Sequence, residues 1–266
     1  MADALKLGIA GLGTVGASLV RILTERHNML TVACNRPIEI VAVSARNRNS
    51  DRGVDIGRFE WYADPIDMAR HANIDVFVEL MGGAGEPAHS AVKASLSRGL
   101  HVVTANKALL ARHGVELAAL AEEKGVILNF EASVAGGIPV IKALRESLTG
   151  NTVSRVYGIM NGTCNYILTR MEREELSFEA CLKEAQRLGY AEADPAFDIE
   201  GNDTAHKLSI LTTLAFGTEI APDDIYLEGI TNISLEDIHA AADLGYRIKL
   251  LGVAQKTASG IEQRVH

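Results

Sequence analysis

Cysteine is scarce in this chain, and the spacing of what is there excludes two structural solutions. Cys34, Cys164 and Cys181 are the 3 cysteines of 266 residues; they make neither a disulfide framework nor a Cys-x-x-Cys motif. A reducing cytoplasm is the natural compartment for such a protein. The 8 histidines show no metal-ligand spacing along the chain. No apolar run approaches a membrane span, and the N-terminal stretch passes through Asp3 and Lys6 into a strand, unlike a signal peptide. Basic residues are in deficit, 26 against 34 acidic, and the net charge of −8 argues against nucleic acid or an anionic membrane as partner. Repeats and low-complexity tracts are lacking. What remains, 47% hydrophobic and 23% charged, suits a soluble globular protein with one large or two modest cores.

The first positive signal is near the start. Leu5–Ala10 reads as a short apolar strand, followed by Gly11-Leu12-Gly13-Thr14-Val15-Gly16 and the helical spacing of Val15, Leu19, Val20 and Leu23. Glycine at these three positions permits a tight turn, close approach of a pyrophosphate and close helix–strand packing. The open N–H groups at Thr14, Val15 and Gly16 then favour phosphate oxygens. Alone, any tight strand-to-helix turn would favour such glycines; the next strand sharpens the reading. Ile38–Val43 runs into Ser44, Arg46 and Arg48, where an NAD site would place an acid for the ribose 2′-hydroxyl. Guanidinium groups suit a 2′-phosphate, so NADP is expected, with NAD as the alternative.

Strand and helix then alternate. Strands are expected at Ile74–Leu80, His101–Thr104 and Val126–Phe130, with helices at about Pro87–Arg98 and Leu109–Lys124. The fold class implied is α/β, a Rossmann-type doubly wound parallel sheet. Ligands bind such sheets at the carboxyl ends of the strands, where the glycine loop, Arg46, Gly82 and Lys107 all fall. The rhythm changes near Glu131, so residues 1–135 are expected to bind the nucleotide. Residues 136–266 would form a second, α+β unit, with a helix at Val140–Leu148, a strand at Val153–Met160 and further helices from Asn161 and Phe178.

Gly189–Lys207 is the densest stretch of chemistry. Glu192, Asp194, Asp198, Glu200 and Asp203 precede an apolar helix, and Lys207 follows Asp203 by four residues, on the same helical face. Carboxylates beside an ammonium group can hold a substrate amine and supply a proton. The plainer alternative is a capped helix with a solvated pair worth about 0.2–0.5 kcal/mol.

These residues resemble the homoserine dehydrogenase family over nearly the whole chain. The resemblance is carried by Gly11–Gly16, Thr104–Lys107, Glu131–Pro139, Asn161–Thr163 and, above all, the pattern Gly-Tyr-Ala-Glu-x-Asp-Pro-x-x-Asp-Ile-x-Gly-x-Asp-x-x-x-Lys, met at every fixed position from Gly189 to Lys207. It implies NAD(P)-dependent interconversion of L-aspartate 4-semialdehyde and L-homoserine, a step of threonine and methionine biosynthesis. Lys207 would donate the proton, supported by Asp203, and Lys107 would polarise the carbonyl or relay the proton. Glu192 and Asp198 would hold the substrate ammonium, with Thr163 and Gly162 bordering it. A sodium ion would sit at Glu131 and the carbonyls of Val134, Gly136 and Ile138, steadying the hinge. A homodimer or higher homo-oligomer is also implied. An unperturbed lysine, pKa about 10.4, is a charged proton source at neutral pH, and backbone carbonyls suit a hard cation.

Two other readings compete. Cys164 could be the nucleophile of a thiol-dependent semialdehyde dehydrogenase, though no histidine lies near it in sequence. A non-catalytic nucleotide sensor would explain the glycine loop but give Glu192–Lys207 no purpose. Family members usually continue past the position of His266, so the sequence is expected to lack a C-terminal part, including any threonine-sensing domain.

Overall fold

The computed structural model describes residues 3–219 and 222–266. The chain divides into two compact units, Met1–Pro139 and Val140–His266. In the first, β1 (Leu5–Ala10), β2 (Ile38–Ser44), β3 (Glu60–Tyr62), β4 (Val76–Glu79), β5 (His101–Thr104) and β6 (Leu128–Asn129) form one sheet. Its order is β3-β2-β1-β4-β5-β6, and every neighbouring pair is parallel. This is the doubly wound arrangement implied by the alternating pattern, with its switch point between β1 and β4. Strands covered on both faces are mainly apolar: Ile9, Ala42, Val43, Phe77 and Val102 have no accessible surface.

The helices of this unit are α1 (Thr14–Glu25), α2 (His27–Cys34), α3 (Pro65–His71), α4 (Ala88–Ser97) and α5 (Lys107–Lys124). The elements β3, α2 and α3 lie outside the sequence expectations, although Asp64 followed by Pro65 is a legible helix start. The Asp64 carboxylate caps α3 by accepting from the Ile66 N–H at 2.8 Å. At the other edge, β6 is shorter than the expected Val126–Phe130. It pairs with β5 alone, so only Leu128 and Asn129 are held in register.

The second unit begins with α6 (Val140–Lys142), which widens into a π-helical turn at Ala143–Ser147, closed by Leu148 N–H on the Ala143 carbonyl at 2.9 Å. The uniform helix expected there is therefore two kinds of turn. Next come β7 (Arg155–Gly158), α7 (Gly162–Glu174), α8 (Phe178–Arg187), α9 (Ala196–Ile199), α10 (Asn202–Phe216), β8 (Tyr226–Leu227), α11 (Leu235–Asp243), β9 (Gly252–Thr257) and β10 (Gly260–Val265). The strands form a mixed sheet, β7-β9-β10-β8, antiparallel except between β10 and β8. Helix α10 packs across it, close enough at Gly252 that a Cβ there would stand 3.1 Å from the Thr204 methyl. Ile167, Leu168, Met171, Leu208 and Leu250 fill the core of this α+β unit.

Candidate functional site

In the first unit, the turn from β1 into α1 separates what the fold needs from what a ligand would need. Gly11 has φ +96°, and a Cβ there would lie 2.4 Å from the Leu80 carbonyl oxygen; at Gly16 it would lie 2.0 Å from that of Gly11. Both glycines are required by the protein itself. Gly13 is different: a Cβ there would meet nothing within 4 Å. Helix α1 starts at Gly13 with no side-chain cap, and Thr14 and Val15 are exposed. Its first N–H groups are thus presented outward, which suits an anion.

A cavity of about 630 Å³ opens beside this turn, lined by Gly11, Gly13, Ser44, Arg46, Arg52 and Gly82 among others. Arg46 lies where the sequence places it. Arg48 instead stands over the Trp61 ring, 5.8 Å from its centroid. A second cavity guanidinium, missed by sequence reasoning, belongs to Arg52, which donates to the carbonyls of Asn47, Arg48 and Ser50. Those bonds gather the loop after β2 around one cation. Nothing in the linear pattern marks them, because a loop's backbone partners depend on how it closes.

Just before Leu80, Met81 and Gly82, which line the cavity, Glu79 ends β4 with no exposed surface. Its Oε1 accepts from the N–H groups of Met81 at 2.7 Å and Gly82 at 3.2 Å, and its Oε2 from the Thr104 hydroxyl at 2.6 Å. The Thr104 oxygen in turn accepts from Asn106 N–H at 2.9 Å. Asn106 caps α5 through Leu109 N–H and donates to the Gly83 carbonyl at 2.7 Å. The buried carboxylate thereby sets the shape of the Met81–Gly83 turn and the start of α5, whose first residue is Lys107. Further on, Glu131–Ser133 is a 3-10 turn, and the backbone stays irregular until α6, with Gly137 at φ +80°. Val134 is buried, Glu131 half-buried, and Gly136 and Ile138 exposed.

In the second unit, Asp203 and Lys207 do share a face of α10. Lys207 Nζ donates to Asp203 Oδ2 at 2.7 Å and to the Met160 carbonyl at 2.7 Å. The Asp203 side chain is only 4% exposed, so this is not the solvated surface pair of the plainer reading. Asn161, read in the sequence as a helix start and part of the Asn161–Thr163 motif but given no role, joins two carboxylates. Its Nδ2 donates to Asp198 Oδ1 at 2.8 Å and Asp203 Oδ2 at 2.9 Å, while its Oδ1 caps α7 by accepting from Cys164 N–H at 2.8 Å. Thr163 Oγ1 donates to the Tyr190 carbonyl at 2.8 Å and lies 3.2 Å from Asp198 Oδ2. Gly162 is exposed at the first turn of α7.

Glu192 stands apart from this cluster. Its side chain is exposed, and among the described residues its hydrogen bond is through the backbone carbonyl, which accepts from Gln186 Nε2 at 3.1 Å. Cys164 has no exposed surface, and burial, with Asp198 and Asp203 nearby, pushes its thiol from 9.0 up to about 12. A thiol so protonated is a poor nucleophile. Among the described residues no helix is long and apolar enough to cross a membrane.

Two family models match the chain: "Homoserine dehydrogenase, NAD binding domain" over residues 11–131 and "Homoserine dehydrogenase" over residues 139–266. A homoserine dehydrogenase of Pseudomonas aeruginosa is 50% identical over 261 residues, covering 98% of this chain and 59% of that protein. One from Neisseria gonorrhoeae is 47% identical over 260 residues, again 98% and 59%. The chain thus spans about three fifths of the length of these relatives. Among solved structures, a homoserine dehydrogenase from Thiobacillus denitrificans superposes with a TM-score of 0.94 at 48% identity, covering 99% of this chain and 61% of the other. A hyperthermophilic archaeal homoserine dehydrogenase in complex with NADPH superposes with a TM-score of 0.81 at 26% identity, covering 98% and 81%.

Proposed function

The chain belongs to the homoserine dehydrogenase family, and we propose that it carries the catalytic core of an NADP-dependent enzyme interconverting L-aspartate 4-semialdehyde and L-homoserine. The observation that carries this reading is the half-buried Lys207 ammonium held against Asp203, with Asp198 tied to the same Asn161 amide. It is a proton source and an amine-binding carboxylate in one assembly.

The first unit would hold the nucleotide. Gly11, Gly13, Thr14, Val15 and Gly16 would cradle the pyrophosphate, Arg46 would face the 2′-phosphate and Gly82 the nicotinamide end. The open face of Gly13, the uncapped N-terminus of α1 and the guanidinium groups of the cavity support that fit. When bound, the nicotinamide supplies or accepts the hydride. The protein's own part is to orient the substrate and move one proton. Lys207 donates two hydrogen bonds among the described residues, of the three an ammonium can make; the third would go to the carbonyl oxygen and deliver its proton as the alcohol forms. Lys107 would add positive charge at that oxygen. Asp198 and Glu192 would hold the substrate ammonium, with Thr163 and Gly162 shaping its surroundings.

Glu131 and the carbonyls of Val134, Gly136 and Ile138 would bind sodium. The irregular backbone between Ser133 and α6, with Gly136 and Ile138 exposed, supports a hard-oxygen site there. Residues 1–135 would be the nucleotide domain and 136–266 the substrate and dimerisation domain. Tyr157 and Tyr226, 69% and 61% exposed on the four-stranded sheet, would meet a second copy. A cytoplasmic setting fits the free thiols.

The test is nicotinamide absorbance during oxidation of L-homoserine, with NADP and NAD compared. Turnover that prefers NADP and disappears in Lys207→Ala, with NADP binding retained, supports the reading. Turnover that survives Lys207→Ala would overturn the proton-donor assignment.

A further inference from the structure

Helices α4 and α5 pack against each other and bring together three side chains that the proposed reaction does not use. His89 lies in the first turn of α4; His113 and Glu116 lie one turn apart on α5. His89 Nε2 is 3.4 Å and His113 Nδ1 3.8 Å from Glu116 Oε2, and the three atoms all lie within 4.8 Å of one another. A tetrahedral ion with bonds of about 2.0–2.1 Å sets its ligand atoms about 3.3–3.4 Å apart. Two of the three separations are already close to that. We propose that His89, His113 and Glu116 form a binding site for a divalent transition cation of the zinc class.

The groups behind the three ligands are those that such a site needs. Glu116 points its two oxygens different ways: Oε1 pairs with Lys93 Nζ, and Oε2 faces the imidazoles. Coordination through Oε2 therefore leaves the lysine in place, orienting the carboxylate. His89 Nδ1 is 3.9 Å from the Glu86 carboxylate. A carboxylate behind an imidazole helps to fix the ring of a metal-ligating histidine. His89 Nε2 is buried and, apart from the Glu116 oxygen at 3.4 Å, has no well-aligned polar partner among the described residues, so it is the polar atom an ion would satisfy.

The two rings stack at 4.0 Å with an interplanar angle of 20°. Aiming both lone pairs at one ion takes a rotation about χ2, and side-chain exposures of 20% and 26% leave room for it. The same exposure keeps a fourth position open to water. Two imidazoles and one carboxylate favour zinc, nickel or copper over magnesium or calcium.

The test uses the untagged chain, with Zn²⁺ titrated against a chromophoric chelator and Co²⁺ followed by its visible absorption. One equivalent should bind, and the cobalt form should show tetrahedral d–d bands. His89→Ala and Glu116→Gln should weaken Zn²⁺ binding by about 100-fold or more, at least as much as loss of an outer-shell partner. His113→Phe keeps a ring stacked on His89 without a ligand nitrogen, so it should fold normally and lose the ion. His71→Ala, at an exposed histidine elsewhere, should bind as the parent does. A folded parent that binds neither ion would overturn the proposal, as would His89→Ala and His113→Phe variants that bind zinc undiminished.

Discussion

The side-chain amide of Asn161 donates to Asp203 Oδ2 at 2.9 Å across 42 residues of sequence, and the same nitrogen reaches Asp198 at 2.8 Å. Two carboxylates are thus drawn to one donor beside the Lys207 ammonium. Asn161→Ser isolates that bridge, because serine caps a helix about as well as asparagine but has no amide to span the pair. The variant should lose about 1–3 kcal/mol in urea unfolding, the cost of an unsatisfied buried polar group. Homoserine turnover should fall while NADP affinity holds. Unchanged turnover would show that the carboxylates need no bridge.

Gly13 and Gly16 should respond to alanine in opposite ways. Gly13 has φ −74° and open space where its Cβ would be, so Gly13→Ala should melt like the parent yet bind NADP about 10-fold or more weaker, roughly 1.4 kcal/mol. Gly16→Ala forces a Cβ to 2.0 Å from the Gly11 carbonyl oxygen, and should cost at least the roughly 1–3 kcal/mol of an overpacked site. Thermal melts and nucleotide titration separate the two. Equal melting losses would mean that Gly13 also serves the fold.

Glu79 holds the turn proposed to face the nicotinamide end, through Met81, Gly82 and Thr104. Glu79→Gln keeps one oxygen for the Met81 and Gly82 N–H groups but removes the charge that strengthens those bonds and turns an NH2 group toward the Thr104 hydroxyl, so the Met81–Gly83 turn should loosen. The expected signature is a KM for NADP raised about 10-fold, roughly 1.4 kcal/mol, with kcat changed less. A fall in kcat alone would contradict the positioning role.

Cys164 should be chemically silent. Its thiol is raised to about 12, so alkylation at pH 8 should label exposed Cys34 and spare Cys164 and Cys181, as peptide mapping would reveal. A group whose folded pKa is raised contributes stability that is complete below the unfolded value of 9.0 and fades as pH rises toward about 12. Cys164→Ser should retain turnover and flatten that alkaline loss. Abolished turnover would revive the thiol mechanism.

Much of the nucleotide unit is legible in the linear pattern because its rules are local. Glycine at positions 11, 13 and 16, apolar strands buried on both faces and helix starts at strand ends each follow from neighbouring residues. The spacing of Asp203 and Lys207 likewise places them on one helical face. The acid-rich segment before them is legible as chemistry, though its partners are not. Short elements such as β3 and α3 escape because three to seven residues carry little periodicity. The strand β8 escapes because its register is set by distant β10, Tyr226 pairing with Arg264, whereas β9 and β10 form a local hairpin closing at Thr257 and Gly260 that the turn residues could have signalled.

By itself, then, the sequence determined the alternating α/β unit, the anion-ready turn at Gly11–Gly16 and the family to which the chain is similar, since these rest on contacts within a few turns of chain. Only tertiary structure decided which groups stand together. It buries Asp203 so that the lysine pair is shielded from water, it makes Asn161 the bridge between two carboxylates, and it sets Arg52 rather than Arg48 in the cavity. It also stacks His89 on His113, a pair that looked unrelated 24 residues apart until α4 and α5 packed. Contacts of that kind form when apolar faces are removed from water, and the polar groups carried along must then find one another.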